Sequence, residues 1–214
     1  MIEDWSEENI KQNCPHCDLH SQAFEYSLKT TENFTVVCDA NPIVEGHLLI
    51  IPKKHYSCIG EYPRPIFEEF SELDREVSIF LTKEYGECAS FEHGIFGQTV
   101  FHSHVHYLPL QSTALDIIPE GEKEIQKLEA LTDLKEMYEK EGGYLYFAIG
   151  GNRWTVNKAL ATPRFFRDRF AKALHHPERG NWKEIRATPE LHKLSKLLNE
   201  NTITKWNLTL LPNN

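Results

Sequence analysis

Gly97-Gln98-Thr99-Val100-Phe101-His102-Ser103-His104-Val105-His106-Tyr107-Leu108-Pro109 places three histidines on alternate positions among strand-forming residues. Val100, Phe101, Val105, Tyr107 and Leu108 favour extended backbone, so residues 99–108 are expected to form one core strand. Side chains alternate across a strand. His102, His104 and His106 are therefore expected on one face, about 7 Å from one to the next and within reach of a single pocket. Three of the eleven histidines fall within five consecutive positions, and His47 and His55 flank a second apolar run. Such clustering reads as a site rather than as chance.

On either side of this segment, short apolar runs at 23–28, 34–38, 47–51 and 88–91 read as further strands. Pro65 opens a helix in which Ile66, Phe67, Phe70, Leu73, Val77, Phe80 and Leu81 keep a helical period to about residue 85. Gly94 and Gly97 frame a tight connection into the histidine segment. Beyond Leu110 the pattern changes. Ile125, Leu128, Leu131, Leu134, Met137 and Tyr138 sit at helical spacing, and Gly142-Gly143 closes that expected helix. Strands follow at 144–149 and 153–156. A helix starting at Thr162-Pro163 carries Phe165, Phe166 and Phe170, and a last one covers 189–199. Strands and helices mix without a βαβ rhythm, so the class is α+β with a mainly antiparallel sheet and flanking helices. Residues 1–115 are expected to form the catalytic core and residues 116–214 a C-terminal α+β extension, packed on the same core.

Hydrophobic residues make up 40% of the 214, enough for a packed interior. No run approaches the roughly 20 apolar residues of a membrane span. The first 13 residues are acidic and polar, which argues against a signal peptide. The formal net charge of −9 disfavours duplex nucleic acid as a partner, while a small anionic ligand remains compatible with local basic groups. Five cysteines, an odd number, fit a reducing cytoplasm without a disulfide framework. Cys38, Cys58 and Cys88 read as small buried hydrophobes. Cys14-Pro-His-Cys17 has knuckle spacing and suggests Zn²⁺ more than a disulfide, with two further ligands required.

The histidine segment resembles the signature of the histidine triad superfamily, His-φ-His-φ-His-φ-φ with φ apolar, preceded by Gly-Gln-Ser/Thr-Val. Here Gly97-Gln98-Thr99-Val100 leads to His102, His104 and His106. Upstream, Asp39, Glu45-Gly46-His47 and Ile50-Ile51-Pro52-Lys53-Lys54-His55 resemble the family's Asp…Gly-His…Ile-Pro-Lys-x-His segment. The resemblance covers about residues 14–110. Two positions depart from it. Ser103 stands where the family is apolar, and Glu92 stands where many members carry an Asn facing the phosphate. A carboxylate there would repel phosphate unless protonated or paired.

The resemblance implies a nucleotide hydrolase acting at the α-phosphate of a dinucleoside polyphosphate or nucleoside phosphoramidate. His104 is the implied nucleophile, forming a nucleotidyl-histidine. Its second ring nitrogen must donate to a backbone carbonyl to fix the tautomer. His106, His102 and His47 complete the catalytic set, with His47 and His106 donating to phosphate oxygens. Gln98 and Thr99 are implied at the leaving group, Thr99 as proton relay, and Asp39 at the ribose hydroxyls. For Asp39 a plain Asx-turn before Asn41-Pro42 is the competing reading. Arg153, Arg164 and Arg167 could reach phosphates, Arg164 from a helix start, but surface exposure is the favoured expectation. Zinc-binding relatives and the similar galactose-1-phosphate uridylyltransferases complete a structural Cys₂His₂ site with residues matching His55 and His102, and His16 is a weaker alternative ligand. The uridylyltransferase triad ends in Gln where this chain has His106, which favours hydrolysis over nucleotidyl transfer; a non-catalytic nucleotide-binding module is the third reading. Family members are often homodimers joined sheet edge to edge.

Overall fold

The computed structural model describes residues 14–209; the acidic N-terminal stretch lies outside them. Strands β1 (Ser27–Thr30), β2 (Phe34–Cys38), β3 (Leu48–Pro52), β4 (Ala89–Glu92), β5 (Val105–Leu108), β6 (Ile125–Leu128), β7 (Tyr146–Ile149) and β8 (Asn152–Val156) form one sheet in the order β1-β2-β3-β5-β4-β7-β8-β6. Every named strand pair is antiparallel. The class is α+β, with helices flanking the sheet. The sheet runs continuously from the histidine-bearing half into the C-terminal half, because β7 pairs along β4 from Ala89↔Ile149 to Glu92↔Tyr146.

Helix α1 (Arg64–Tyr85) covers one face. Its buried stripe Phe70, Leu73, Val77, Phe80 and Leu81 keeps the helical period and packs with Ile50, Val105, Tyr107 and Tyr146. Each such side chain stabilises the fold by about 1.5–3 kcal/mol. The opposite face carries a second cluster, in which Phe91, Leu108, Phe147 and Ile149 meet Phe165, Phe166 and Phe170 of the helix Phe165–Ala173. The last helix runs from Pro189 to Thr209, ten residues beyond its expected end, and buries Trp206 against Phe80. Among the described residues no helix is long and apolar enough to cross a membrane.

The helix expected over 125–138 is divided. Ile125–Leu128 is a strand paired with β8, and helix begins only at Asp133, whose carboxylate accepts the Ala130 N–H at 3.0 Å. Ile125 and Leu128, three residues apart, satisfy helical spacing, and the ladder to β8 decides for strand. At the N-terminal side, 22–24 form a 3₁₀ turn and β1 starts at Ser27, later than the expected run at 23–28.

Candidate active site

The histidine segment is not one strand. Only Val105–Leu108 joins the ladder. The His102 N–H closes on Val100 O at 2.9 Å and the Ser103 N–H is taken by Tyr56 O at 2.6 Å, so these amides are turned away from strand pairing. Phe101 is 60% exposed, as a residue outside the sheet should be. The expected shared face holds for His104 and His106, whose ring centroids lie 5.0 Å apart. His102 turns to another set of partners.

Those partners are the cysteines. His102 Nδ1 lies 3.5 Å from Cys14 Sγ and 3.4 Å from Cys17 Sγ, and His55 Nδ1 lies 3.2 Å from Cys17 Sγ. One donor atom from each of the four residues falls within 4.8 Å of the others. A tetrahedral zinc with normal bond lengths separates sulfur and nitrogen ligands by about 3.5 Å, so the spacing fits the ion. His102 Nε2 donates to Pro52 O at 2.8 Å, which leaves Nδ1 as a lone pair among the thiols. His16 does not join this set. It is buried and meets the His104 ring edge-on at 4.8 Å.

On the other side lies a cavity of about 210 Å³ lined by His104, His106, Asp39 and Thr99. His104 Nδ1 donates to His102 O at 2.6 Å, so Nε2 carries the ring's lone pair. Burial pulls the pKa of His104 below its ordinary value, opposed by the His102 carbonyl and Asp39, which keeps the ring neutral near pH 7. The next two imidazoles are also set by the backbone. Ile43 N–H donates to His47 Nδ1 at 3.0 Å, so the neutral ring must carry its proton on Nε2. That proton goes to His106 Nδ1 at 2.9 Å, leaving His106 Nε2–H as a donor. Burial holds His47 at about 3 and His106 well below its usual value. Phe91 stacks on His106 with centroids 4.3 Å apart and fixes the plane of the ring.

Asp39 is buried, accepts the Asn41 N–H at 2.7 Å as in an Asx-turn, and pairs with Arg167 Nη1 at 2.7 Å. Burial alone would raise its pKa, but Arg167 and the Asn41 N–H hold it at about 2. Arg167, expected on the surface, is 6% exposed, and it also donates to the carbonyls of Asn41 and Gly180. Arg167 lies among the buried Phe166, Phe170 and Ala171, where an unpaired charge would be very costly, and Asp39 supplies the partner. Arg164 lines the cavity, while Gln98 is buried and donates to Ser57 O at 2.8 Å. Thr99 is exposed. Gly97 precedes them with φ +78°, and a Cβ there would stand 2.5 Å from Thr162 O, so glycine is required where the loop meets the C-terminal half.

Glu92 does not face the cavity. It sits one position from Phe91 on β4, and alternation sends it to the opposite face. There it is fully buried and accepts from Ser103 Oγ at 2.7 Å, Tyr144 OH at 2.6 Å and Ile59 N at 3.1 Å. Tyr62 OH in turn donates to Ser103 Oγ at 2.7 Å. The two departures from the family pattern, Ser103 and Glu92, are therefore partners in one network, and no repulsion of phosphate follows from either. Sequence reasoning missed Tyr144 and also His93, whose Nε2 accepts the Phe166 N–H at 3.1 Å.

Fold and site together define an antiparallel-sheet protein with a histidine-lined cavity backing onto a Cys₂His₂ cluster. Residues 23–113 match the HIT domain. An uncharacterized HIT-like protein of Mycoplasma genitalium is 31% identical over 112 residues, 50% of this chain and 79% of that one. Adenylylsulfatase HINT3 of Arabidopsis thaliana is 34% identical over 107 residues, and the match spans 47% of this chain and about half, 53%, of the plant protein. Among solved structures, a hypothetical histidine triad nucleotide-binding protein from Sulfolobus tokodaii shares 29% identity at a TM-score of 0.40, over 47% of this chain and 70% of that one. The chain belongs to the histidine triad family.

Proposed function

We propose that the protein hydrolyses nucleotide conjugates at the α-phosphate with His104 as the nucleophile. The observation that carries this reading is the His104 ring, its Nδ1–H held on the His102 carbonyl and its Nε2 lone pair left beside the cavity. Nε2 attacks phosphorus, and the leaving group departs with the electron pair of the broken bond. The positive charge that develops on the ring is stabilised through Nδ1–H by the carbonyl dipole. His106 Nε2–H donates to a nonbridging oxygen, its direction set by the relay from Ile43 through His47. The Thr99 hydroxyl passes a proton to the leaving atom. Water then gives one proton back to the Thr99 oxygen and attacks the phosphorus of the nucleotidyl-His104; the P–N bond breaks with its electron pair returning to Nε2, and nucleoside monophosphate and neutral His104 are released.

Cys14, Cys17, His55 and His102 would hold Zn²⁺ in a structural role, with four protein ligands and no open position. The ion would tie the N-terminal knuckle to the end of β3 and to the turn ahead of His104. The test is a panel of diadenosine and diguanosine polyphosphates and adenosine phosphoramidate, followed by chromatography of the products. Nucleoside monophosphate is the expected product. Failure of the whole panel to turn over, in folded and metal-replete protein, contradicts the reading. Release of monophosphate only when a second phosphate acceptor is added would favour nucleotidyl transfer.

A further inference from the structure

The cavity at His104 has a charge the rest of the chain does not share. The whole protein carries a formal −9. The cavity lining holds three arginines, Arg164, Arg167 and Arg186, against one carboxylate, Asp39. All three arginines lie beyond residue 113, where the match to the HIT domain ends. Arg167 is committed to Asp39 at 2.7 Å and the two charges cancel. Arg164 and Arg186 remain. Among the described residues the Arg164 guanidinium meets one carboxylate, the exposed Asp168, through two long contacts of 3.4 Å. Arg186 is exposed, lies over the Trp182 ring at 4.8 Å and reaches Asn41 Oδ1 at 3.4 Å, with no carboxylate partner among the described residues. His93 and His106 in the same lining are held neutral by burial and add no charge.

A second feature marks Arg164. Its backbone is left-handed, with φ +63°, a conformation unfavourable for a residue that carries a side chain. The surrounding chain holds it there: Arg164 N–H donates to Gly97 O at 3.2 Å, at the turn that leads into Thr99 and His104. The residue is thus tied to the same loop that carries the reacting groups.

Building on the nucleotide reading, we propose that the C-terminal half selects substrates carrying a second anionic group, with Arg164 and Arg186 taking a phosphate or sulfate beyond the one that reacts. Arg186, without a carboxylate partner among the described residues, and Arg164, held only by a long pair to an exposed carboxylate, leave positive charge at the cavity beyond what Asp39 neutralises. A nucleoside phosphoramidate with a neutral leaving group supplies only one anionic group. Arginine is suited to the task because its planar fork grips tetrahedral oxyanions with two hydrogen bonds. The second anion can belong to the leaving group or to the sugar, and the chemistry recognised is the same.

The experiment is equilibrium binding to the full chain with zinc supplied, using AMP, ADP, adenosine 3′,5′-bisphosphate and inorganic pyrophosphate. ADP, the bisphosphate, or both are expected to bind at least tenfold more tightly than AMP. That preference should fall several-fold in Arg164→Gln and in Arg186→Gln and return in part in the lysine variants. ADP alone being preferred places the second anion at the leaving group, and the bisphosphate alone places it on the sugar. Equal binding of all three nucleotides, or a preference that survives both glutamine variants, overturns the proposal. Arginine-dependent binding of pyrophosphate with no binding of any nucleotide would sustain the anion site and defeat the nucleotide reading instead. If a glutamine variant melts early, the lysine variant and the salt dependence of wild-type binding decide the same question.

Discussion

His102 and His104 stand two residues apart, and each donates to a backbone carbonyl, yet through opposite ring nitrogens. His102 uses Nε2, on Pro52 O, and so offers Nδ1 to the two cysteines. His104 uses Nδ1, on His102 O, and so keeps Nε2 for the cavity. One region is closed, with the Nδ1 atoms of His102 and His55 facing cysteine sulfurs; the other borders a cavity. Ring type alone therefore does not assign a role to a histidine. The carbonyl that accepts its N–H decides which ring nitrogen keeps the lone pair, and so whether that nitrogen faces the cysteines or the cavity.

Removing each ring in turn should separate the two roles, with the largest effects in the molecule. His104→Ala should lower kcat by about 10⁴-fold or more, the scale of losing a nucleophile, while zinc stoichiometry measured by atomic absorption stays that of the wild type. His102→Ala should do the converse to the metal. With free zinc near 1,000 times its Kd, bound zinc adds about 4 kcal/mol to stability. Wild type should lose that on chelation, as read by thermal unfolding, and His102→Ala should show no such loss. Equal zinc content in both variants would erase the distinction.

A smaller effect is expected where the two halves of the chain meet behind the open region. Arg167→Met leaves Asp39 buried and unpaired beside His47 and His106, at a cost of about 3 kcal/mol in urea unfolding. Since the pair holds Asp39 at about 2, its contribution is fully present above the ordinary carboxylate value near 3.8 and is lost as pH falls through 2. Without Arg167 burial raises the Asp39 pKa, so the gap between wild type and Arg167→Met should be widest at neutral to alkaline pH and narrow as pH falls and the variant's Asp39 takes up a proton.

The smallest effect belongs to the face of the sheet turned away from the cavity. Burial pushes the Glu92 carboxyl up to about 7 against the opposing bonds from Ser103, Tyr144 and Ile59. A raised carboxyl favours the protonated folded form, so stability from this group is present below pH 4.5 and declines as pH rises through 7. Glu92→Gln should remove that decline. Its unfolding free energy relative to wild type should move by about 1–3 kcal/mol in its favour between pH 4.5 and pH 8. An unchanged difference across that range would mean that Glu92 does not titrate on folding.

Much of this is legible in the residues. The apolar period of α1, the strand at 34–38 and, within one residue at each end, the strand read at 47–51 and found at 48–52 follow from side-chain pattern, and so does the antiparallel α+β class. The triad spacing identifies the residues that gather around His104 and around the cysteines, but not which ring goes where. Alternation assumes a regular strand, and the amides of His102 and Ser103 bond locally instead. Glu92 misleads because motif alignment gives position along the chain and not the face of the sheet, although Phe91 beside His106 would have settled it. Arg167 misleads because burial of an arginine depends on a carboxylate 128 residues away, a pairing that no local pattern encodes. The division of 125–141 into strand and helix is likewise a matter of tertiary pairing, since Ile125 and Leu128 suit either.

The proposed mechanism turns on a bond between His104 Nε2 and phosphorus. Wild-type protein mixed briefly with a turned-over conjugate, quenched in base to preserve a P–N bond and analysed by peptide mass spectrometry, should carry one nucleoside monophosphate on the peptide containing His104, with fragmentation placing it on that ring. Turnover without any adduct across the quench series, or an adduct on His102 or His106, would contradict the assignment.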